Sequence, residues 1–277
     1  MNNIIAGIVL YNPNISRLKE NIGAIQPQVG KVVLVENGSA SRNYLEELAG
    51  FEVIVNDTNM GIAYALNEIM QYAKEAGAEW ALTLDQDSVA PSNLIETYSK
   101  LISLDKVGMI CCKIIDRNFG ETTEEKSKTS GHEDVESCIT SASLLNVKAW
   151  QEVGGFANEF FIDSVDFDMC YLLREHGYKI IQTYDTALLH EVGHSQIRKL
   201  FGKEYLVYHH SPIRYYYMIR NGLYLGKRHH FLPRAILRAC RQLVMVMLYE
   251  DQKVTKLKMM LQGIWHAFRG RYGKYID

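Results

Sequence analysis

The stretch Glu79-Trp-Ala-Leu-Thr-Leu-Asp85-Gln-Asp87 joins a short, almost wholly apolar run to two carboxylates. A run that is apolar at successive positions is typical of a strand that a parallel sheet buries on both faces. The apolar run stops abruptly at Asp85, and Pro91 follows soon afterwards. We therefore predict a buried strand whose carboxyl end presents Asp85 and Asp87.

Three similar runs lie upstream of this stretch. Ile4 to Leu10 is nearly all apolar, and shorter β-rich runs follow at Lys31 to Val35 and at Phe51 to Val55. Helical patterns separate them, and strands that alternate with helices indicate a parallel α/β sheet. In such sheets ligands bind beyond the carboxyl ends of the strands. Polar side chains stand at all four predicted ends: Asn12, Glu36 and Asn37, Asn56 to Asn59, and Asp85 to Asp87.

The second half of the chain is less regular. Residues 116–134 are polar, which predicts a mobile loop or an insertion, and we expect order to resume at Ile139. From Ser211 onward the pattern is helical, aromatic and basic. We predict an α/β domain over residues 1–222 and a basic, amphipathic helical region over residues 223–277. The predicted helices run to about Gln26, from Arg42 to Leu48, from Gly61 to Ala76, from Val147, and from Asp166 to His176.

Charge is distributed unevenly along the 277 residues. The net charge is −2, yet residues 197–277 hold 16 Lys and Arg against four acids. Such asymmetry predicts an anionic partner for the tail, either a membrane surface or nucleic acid. The five cysteines form no CxxC or Cys/His motif, which favours free thiols in a reducing cytoplasm. No apolar run approaches the ~20 residues that a membrane-spanning helix needs.

Asp85 and Asp87 are candidate metal ligands. Two carboxylates at i and i+2 on a chain leaving a strand can each reach one cation, and Mg²⁺ and Mn²⁺ prefer oxygen ligands. The alternative is a solvated acidic turn, since Asp-x-Asp alone is common. An EF-hand is excluded, because Val89 and Ala90 occupy positions that should be Asp or Asn and Gly.

A second acidic group contains Asp163, Asp166 and Asp168, directly before a helical pattern. Carboxylates in that place could cap the helix and complement its dipole. One of them could instead act as a general base on an alcohol nucleophile. Residue types and spacing alone leave both interpretations open.

Two further clusters carry chemistry-bearing side chains. His190-Glu-Val-Gly-His194 matches the HExxH zinc motif in letters, but Gly193 and the strand-like approach argue against a helix. A single histidine as a third metal ligand, or a plain core or surface histidine, fits better. Downstream, Arg214 and Arg220 could reach phosphate, and the tyrosines between them could line a sugar or lipid site. The alternative there is an amphipathic helix that packs on the domain.

These pieces together resemble the family-2 glycosyltransferases, from Ile4 to about Asn221. Ile8-Val-Leu-Tyr11-Asn12 resembles that family's first strand, Val35-Glu36-Asn37-Gly-Ser39 its V-D-N-x-S signature, and Asn56-Asp-Thr-Asn59-Met-Gly61 its N-x-x-N-x-G segment. Asp85-Gln-Asp87 falls on its metal-binding D-x-D and Asp166-Phe-Asp168 on its E-D-x-D region. The chain departs from the pattern at Glu36, Val165 and Leu172, where the family has Asp, Glu and Arg.

The resemblance implies a fold and a set of roles. The fold would be GT-A, a mixed, mainly parallel sheet flanked by helices, with a helical C-terminal appendage. Asp166 would be the catalytic base, and Mg²⁺ or Mn²⁺ would be the cofactor. The implied metal ligands are Asp85, Asp87 and His190, and the implied donor-binding residues are Tyr11, Asn12, Glu36, Asn37, Asn59, Gly61, Asn67, Asp85, Arg214 and Arg220.

The implied activity is an inverting glycosyl transfer, and the motifs look most like those of the rhamnosyltransferases. The resemblance implies dTDP-rhamnose as donor, with UDP-sugars as alternatives, and a glycan or lipid-linked acceptor in cell-surface polysaccharide synthesis. A nucleotidyltransferase or another nucleotide-dependent α/β transferase, and a non-catalytic membrane- or nucleic-acid-binding protein, remain the alternatives.

The location follows from the tail. We expect a cytoplasmic protein, peripheral on the inner face of the membrane, with the basic tail against anionic lipid rather than nucleic acid. Helices that pack on the catalytic domain, or that form a homodimer, are the alternatives for the tail.

Overall fold

The computed structural model describes residues 4–116, 130–190, 196–200, 203–207 and 209–276, with backbone only at residues 116, 190, 196–200 and 203–206. The chain divides into two compact units. Unit 1 comprises Met1–Asn158 and Val165–Glu191, and unit 2 comprises Glu159–Ser164 and Val192–Asp277.

Unit 1 is built on an eight-stranded sheet with the order β3-β2-β1-β4-β7-β5-β8-β6. The first four strands in this order are parallel, and β5 and β8 are also parallel. β7 runs antiparallel between β4 and β5, and β6 runs antiparallel to β8. This mixed, mainly parallel sheet confirms the predicted fold class. The strands are β1 Ile4–Leu10, β2 Lys31–Asn37, β3 Glu52–Asn56, β4 Trp80–Asp85, β5 Val107–Asp116, β6 His132–Asp134, β7 Ser143–Asn146 and β8 Lys179–His190.

Helices cover the sheet of unit 1. Their apolar faces bury residues such as Leu18, Ile69 and Leu94, so that strands apolar on both faces are shielded from water. The predicted helix at residues 42–48 is a 3-10 helix over Asn43–Leu48. The α-helices are α1 Ile15–Ile25, α2 Ile62–Glu75, α3 Leu94–Ser99, α4 Val147–Glu152 and α5 Val165–Glu175.

The polar segment predicted at residues 116–134 differs from expectation at its end. Residues 117–129 lie outside the described part of the chain. β6 follows at residues 132–134, before the expected return of order at Ile139, and pairs with β8. A strand of three residues is too short to show an apolar periodicity in the sequence. β6 forms because β8 supplies the partners for its backbone hydrogen bonds.

The described residues of unit 2 form two paired strands and three helices. β9 Gln196–Leu200 pairs antiparallel with β10 Lys203–Val207. The helices are α6 Pro212–Arg228, α7 Leu232–Tyr249 and α8 Lys253–Arg269.

The three helices of unit 2 share an apolar core. Tyr215 and Ile219 of α6, Val246 of α7 and Met260 of α8 are among its buried members. Gly263 lets α8 approach α6, since a Cβ there would lie 2.7 Å from the carbonyl oxygen of Tyr216.

The domain boundary predicted at residues 222 and 223 falls inside α6. This helix packs against α7 and α8 through a shared core, and all three therefore lie in unit 2. The sequence marks a change of composition near residue 223, but composition does not show which helices share a core. Among the described residues, no helix is long and apolar enough to cross a membrane.

Candidate active site

Four strand ends lie side by side at one edge of the sheet of unit 1. In the parallel register, Leu10 is opposite Glu36, Val9 is opposite Asp85, and Asn37 is opposite Asn56. The polar residues that follow β1, β2, β3 and β4 are therefore neighbours in space. Ligands bind at this edge of open α/β sheets.

Gln86 ties the Asp85–Asp87 turn to the end of β1. The backbone N–H of Tyr11 donates to Gln86 Oε1 at 2.9 Å, and Gln86 Nε2 donates to the carbonyl oxygen of Tyr11 at 3.2 Å. The ring of Tyr11 is 47% exposed. Gln86 was not among the predicted site residues, although its position between two candidate ligands was a signal that it helps to position them.

The backbone of Asp85 is fixed from three sides. Its carbonyl oxygen accepts hydrogen bonds from Asn21 Nδ2 at 2.7 Å and from the N–H of Ser88 at 3.2 Å, and its own N–H donates to Ser141 Oγ. The side chain of Asp85 is partly buried, and that of Asp87 is exposed. Within the described part of the chain, no ion pair involves Asp87.

The donor set at this turn suits a hard divalent cation. Two carboxylates on a fixed turn supply the oxygen ligands that Mg²⁺ and Mn²⁺ prefer. His190, the third predicted ligand, is the last residue of β8, and its side chain lies outside the described part of the structure. His190 itself lies in a strand, and residues 191–194, the rest of the HExxH match, lie outside the described part of the chain.

Asn12 joins the end of β1 to the loop after β2. Its N–H donates to Ser39 Oγ at 2.8 Å, and its own Oδ1 accepts from the N–H of Ala40 at 2.9 Å. Asn12 has φ of 48°, a left-handed conformation that Asn tolerates better than most residues. Asn12 therefore shapes the edge, and its side-chain oxygen is already a hydrogen-bond acceptor within the protein.

Glu36 is buried beneath the same loop. Its carboxylate accepts from the N–H of Ser39 at 2.6 Å and pairs with Arg42 Nε at 2.8 Å. Burial would raise the pKa of Glu36, but these hydrogen bonds and the Arg42 guanidinium hold the pKa below its ordinary value. The side chain has no exposed surface. Glu36 thus holds the loop from inside, and its predicted contact with a nucleobase stays a prediction.

Asn37 connects the end of β2 to residues 59–61. Its Nδ2 donates to the carbonyl oxygen of Gly61 at 3.1 Å, and its Oδ1 accepts from the N–H of Met60 at 3.1 Å. Asn59 Oδ1 accepts from the N–H of Gly61 at 2.9 Å. Gly61, with φ of 90°, precedes α2, whose first turn has no side-chain cap. The positive end of α2 therefore opens at this edge of the sheet.

Asn67 is partly buried, and its side chain makes four hydrogen bonds within the protein. Its Oδ1 accepts from Trp150 Nε1 at 3.0 Å and from the N–H of Phe156 at 2.9 Å, and its Nδ2 donates to the carbonyl oxygen of Phe156 and to Asn158 Oδ1. These four bonds tie α2 to the chain after α4. They give Asn67 a structural role, and the donor contact that the resemblance implies for it stays a prediction.

Asp166 lies in the first turn of α5 and is partly buried. Its Oδ1 accepts from the N–H of Phe167 at 3.0 Å, an orphan donor of the first helical turn. Both interpretations of this carboxylate, capping and general base, thus keep a structural basis. Asp168, in the same helix, is fully buried.

Arg220 and Asn221 hold the 159–164 segment within unit 2. Arg220 is 1% exposed and donates to the carbonyl oxygens of Gly273 at 2.6 Å and Phe160 at 3.1 Å. Asn221 Nδ2 donates to the carbonyl oxygens of Phe160 at 2.8 Å and Asp163 at 3.1 Å. A guanidinium so engaged has a structural role, and the phosphate contact predicted for Arg220 stays a prediction.

Arg214 forms an ion pair with Asp163 in unit 2, at 2.7 Å between Nη2 and Oδ1. Burial raises the pKa of Asp163 to about 6, against the opposing effect of the Arg214 guanidinium. Arg214 is the more exposed partner, at 38%. Its positive charge is thus partly neutralised by the protein itself.

The sequence matches a known protein family. Residues 6–170 match the family described as glycosyl transferase family 2. The chain belongs to this family. It is 27% identical to the dTDP-rhamnosyl transferase RfbF of Shigella flexneri, over 98% of this chain and 97% of that protein.

Two solved structures share the fold. A structure of GalNAc-T7 with UDP, GalNAc and Mn²⁺ aligns over 98% of this chain and 58% of its own length, with a TM-score of 0.63 and 15% identity. Staphylococcus aureus TarS 1-349 in complex with UDP-GlcNAc aligns over 96% of this chain and 81% of its own length, with a TM-score of 0.62 and 13% identity. This chain therefore spans little more than half of GalNAc-T7.

The predicted GT-A fold and glycosyltransferase activity are thus confirmed. The enzyme transfers a glycosyl group, as its family does, and the nucleotidyltransferase and non-catalytic alternatives are not supported.

Proposed function

We propose that the enzyme transfers L-rhamnose from dTDP-rhamnose to a hydroxyl of a glycan or lipid-linked acceptor in cell-surface polysaccharide synthesis. The observation that carries the proposal is the row of four strand ends, where Gln86 links the Asp85–Asp87 turn to Tyr11. The likeness to a dTDP-rhamnosyl transferase over 98% of the chain favours this donor. UDP-sugars are the second candidate, because TarS has been solved with UDP-GlcNAc on the same fold.

The donor would lie across the strand ends. The half-exposed ring of Tyr11 offers an apolar face to the nucleobase. The uncapped start of α2, after Gly61, offers N–H groups to the diphosphate. Asn37 and Asn59 hold this segment in position through the hydrogen bonds described above, and their role toward the donor would be to shape the site.

Asp85 and Asp87, with His190, would hold a divalent cation, Mg²⁺ or Mn²⁺. When bound, the cation would stabilise the negative charge that develops on the leaving nucleoside diphosphate. The fixed backbone of Asp85 supports this assignment, since a preorganised carboxylate loses little freedom when it binds a cation.

Asp166 would act as the general base. In a single displacement, the acceptor oxygen forms a bond to the anomeric carbon as the bond from that carbon to the diphosphate oxygen breaks. The electron pair leaves with the nucleoside diphosphate, and the hydroxyl proton passes to the Asp166 carboxylate. One displacement inverts the configuration at the anomeric carbon.

A donor panel tests the proposal. The purified enzyme is incubated with Mn²⁺, a glycan or lipid-linked acceptor and either dTDP-rhamnose or UDP-sugars, and the released nucleotide is measured. We expect dTDP from dTDP-rhamnose and little UDP from the UDP-sugars. Release of UDP alone would mean that the donor is a UDP-sugar and not dTDP-rhamnose. Production or consumption of pyrophosphate would contradict glycosyl transfer altogether.

A further inference from the structure

The outer face of α7 carries an exposed apolar strip. Leu237 is 71% exposed, and Met247 and Leu248 are each about half exposed. Steps of three and four residues place all members of the strip on one side of a helix. The α7 strip consists of Pro233, Ile236, Leu237, Cys240, Val244, Met247 and Leu248, all of them exposed.

A row of arginines borders the α7 strip. Arg234, Arg238 and Arg241 follow one another at steps of four and three residues, and all three are exposed. By helical spacing, this row lies along one edge of the strip. The opposite side of α7, with Ala235 and Val246, is buried in the core of unit 2. Packing within the unit thus leaves the strip uncovered.

The outer face of α8 repeats the arrangement. Val254 is 82% exposed and Phe268 is 62% exposed, and Leu261 and Trp265 lie between them on the same side of the helix. We call these four residues the α8 strip. Exposed Lys258 and Arg269 border it, and the guanidinium groups of Arg269 and Arg271 lie over the Trp265 ring, each 5.2 Å from its centroid.

Acidic side chains are absent from both helices, since neither the sequence of α7 nor that of α8 contains Asp or Glu. The acids nearest in sequence, Glu250 and Asp251, both form ion pairs with Lys256. Glu250 is also buried. The two helices themselves therefore carry basic side chains beside the strips and no acidic ones.

We propose that the α7 and α8 strips bind the surface of a bilayer that contains anionic lipid, with both helices lying in the interface. Apolar side chains on one face with basic ones at its edge are typical of interfacial helices, and Trp is favoured at that depth. Positive charge complements anionic headgroups.

Other binding partners fit the α7 and α8 strips less well than a bilayer does. A second copy of this chain would bring more arginines to the contact and no acid from either helix to pair with them. Nucleic acid would contact the basic rows and leave the large apolar side chains in water.

Trp265 is a natural reporter for this proposal. The other two tryptophans, Trp80 and Trp150, are buried, so the exposed Trp265 alone should respond to lipid. Vesicles of phosphatidylcholine with phosphatidylglycerol should shift the emission of the full-length protein to the blue at low salt. Pure phosphatidylcholine should not. Trp265→Phe should still sediment with the vesicles but lose the shift.

Substitutions separate the contribution of the apolar strips to vesicle binding from that of the basic residues. Leu237→Gln with Leu261→Gln should weaken vesicle binding roughly tenfold or more, because two apolar contacts are lost. Leu104→Gln, at an exposed leucine of unit 1, is the matched control and should bind like the wild type. Arg234→Gln with Arg238→Gln should weaken binding and reduce its dependence on salt. Because all these side chains are exposed, the Tm should change little.

Three results would overturn the proposal. The first is wild-type protein that stays in the supernatant with anionic vesicles at low salt. The second is full binding by the Leu237 and Leu261 double variant, which would mean that the strips do not enter the bilayer. The third is a wild-type protein that is dimeric and binds no vesicles, together with a double variant that is monomeric. That result would assign the strips to contact with a second copy of the chain.

Discussion

Asp163 and Asp166 are only three residues apart, yet their carboxyl groups differ in surroundings. Asp166 is partly buried in the first turn of α5. Asp163 forms an ion pair with Arg214, and its pKa is raised to about 6. The raised pKa of Asp163 reports burial, which is a property of the fold and does not by itself indicate catalysis.

Asp166→Asn should lower the rate of transfer about 10²–10⁴-fold, because the amide keeps the shape of the side chain but cannot accept the acceptor's proton. Donor binding should survive, as measured by titration with dTDP-rhamnose. Equal losses of donor binding and of turnover would assign Asp166 to helix capping. Asp168→Asn is the comparison, since Asp168 is fully buried and its substitution should act through stability.

Asp163→Asn should change how stability depends on pH. The folded-state pKa of about 6 lies above the ordinary value of 3.8. Between these values the unfolded chain ionises while the folded carboxyl keeps its proton. The contribution of Asp163 is therefore complete below pH 3.8 and is lost as pH rises through 6.

Urea unfolding at several pH values measures this effect. The free energy of unfolding should fall by at most about 3 kcal/mol through Asp163, since one pKa unit corresponds to ~1.4 kcal/mol. The wild type should lose stability relative to Asp163→Asn between pH 4 and pH 6. Parallel pH profiles for the two proteins would contradict the raised pKa.

At the scale of single side chains, the sequence indicated which residues are candidates for the site but not which groups they bond to. Asp85 and Asp87 were recognisable because charge interrupts an apolar strand. Asn67, Glu36 and Arg220 were assigned to the donor by resemblance, and those assignments stay predictions, but each residue also has partners within the protein that the sequence did not show. Their partners are distant in sequence or are backbone groups, as with Phe156 for Asn67 and Gly273 for Arg220. No local pattern shows such contacts.

At the scale of elements, two loops meet behind the proposed donor site. Gly38 has φ of 79°, and a Cβ there would lie 2.1 Å from the backbone nitrogen of Asn59. Only glycine allows the loop after β2 to approach the loop after β3 so closely. The start of α2 depends on this approach, because Asn37 bonds to Gly61 across it.

Gly38→Ala should therefore destabilise the protein by about 2 kcal/mol or more and weaken donor binding. Gly77→Ala is the matched control. Its φ of 71° carries a similar backbone cost, but an added Cβ would have no heavy atom within 4 Å. The difference in unfolding free energy between the two variants measures the close contact. Equal unfolding free energies for the two variants would mean that the two loops can move apart without loss of stability.

Elements with their own periodicity were predictable, and those that depend on a partner were not. α2 and β4 lie within one or two residues of their predicted positions, because each buries a continuous apolar face. β6 is only three residues long and forms by pairing with β8. The pair of strands β9 and β10 was not predicted from the sequence.

At the scale of the whole molecule, the sequence showed charge asymmetry but not the division into units. The predicted boundary fell inside α6, since α6 shares a core with α7 and α8. The strips on these two helices depend on which apolar residues remain exposed, and only packing decides that. The basic tail and the acidic strand-end turn thus belong to separate units.

The central claim is that the Asp85–Asp87 turn holds a cation that the transfer requires. The most direct measurement is the rate of dTDP release from dTDP-rhamnose, with acceptor and Mn²⁺, for the wild type and for Asp87→Ala. Asp105→Ala is the control and should keep the wild-type rate, because this exposed acid lies just before β5, at the opposite edge of the sheet. We predict that EDTA stops the wild-type reaction, that added Mn²⁺ restores it, and that Asp87→Ala is inactive but folded. Unchanged wild-type turnover in EDTA, or full activity of Asp87→Ala, would contradict the account.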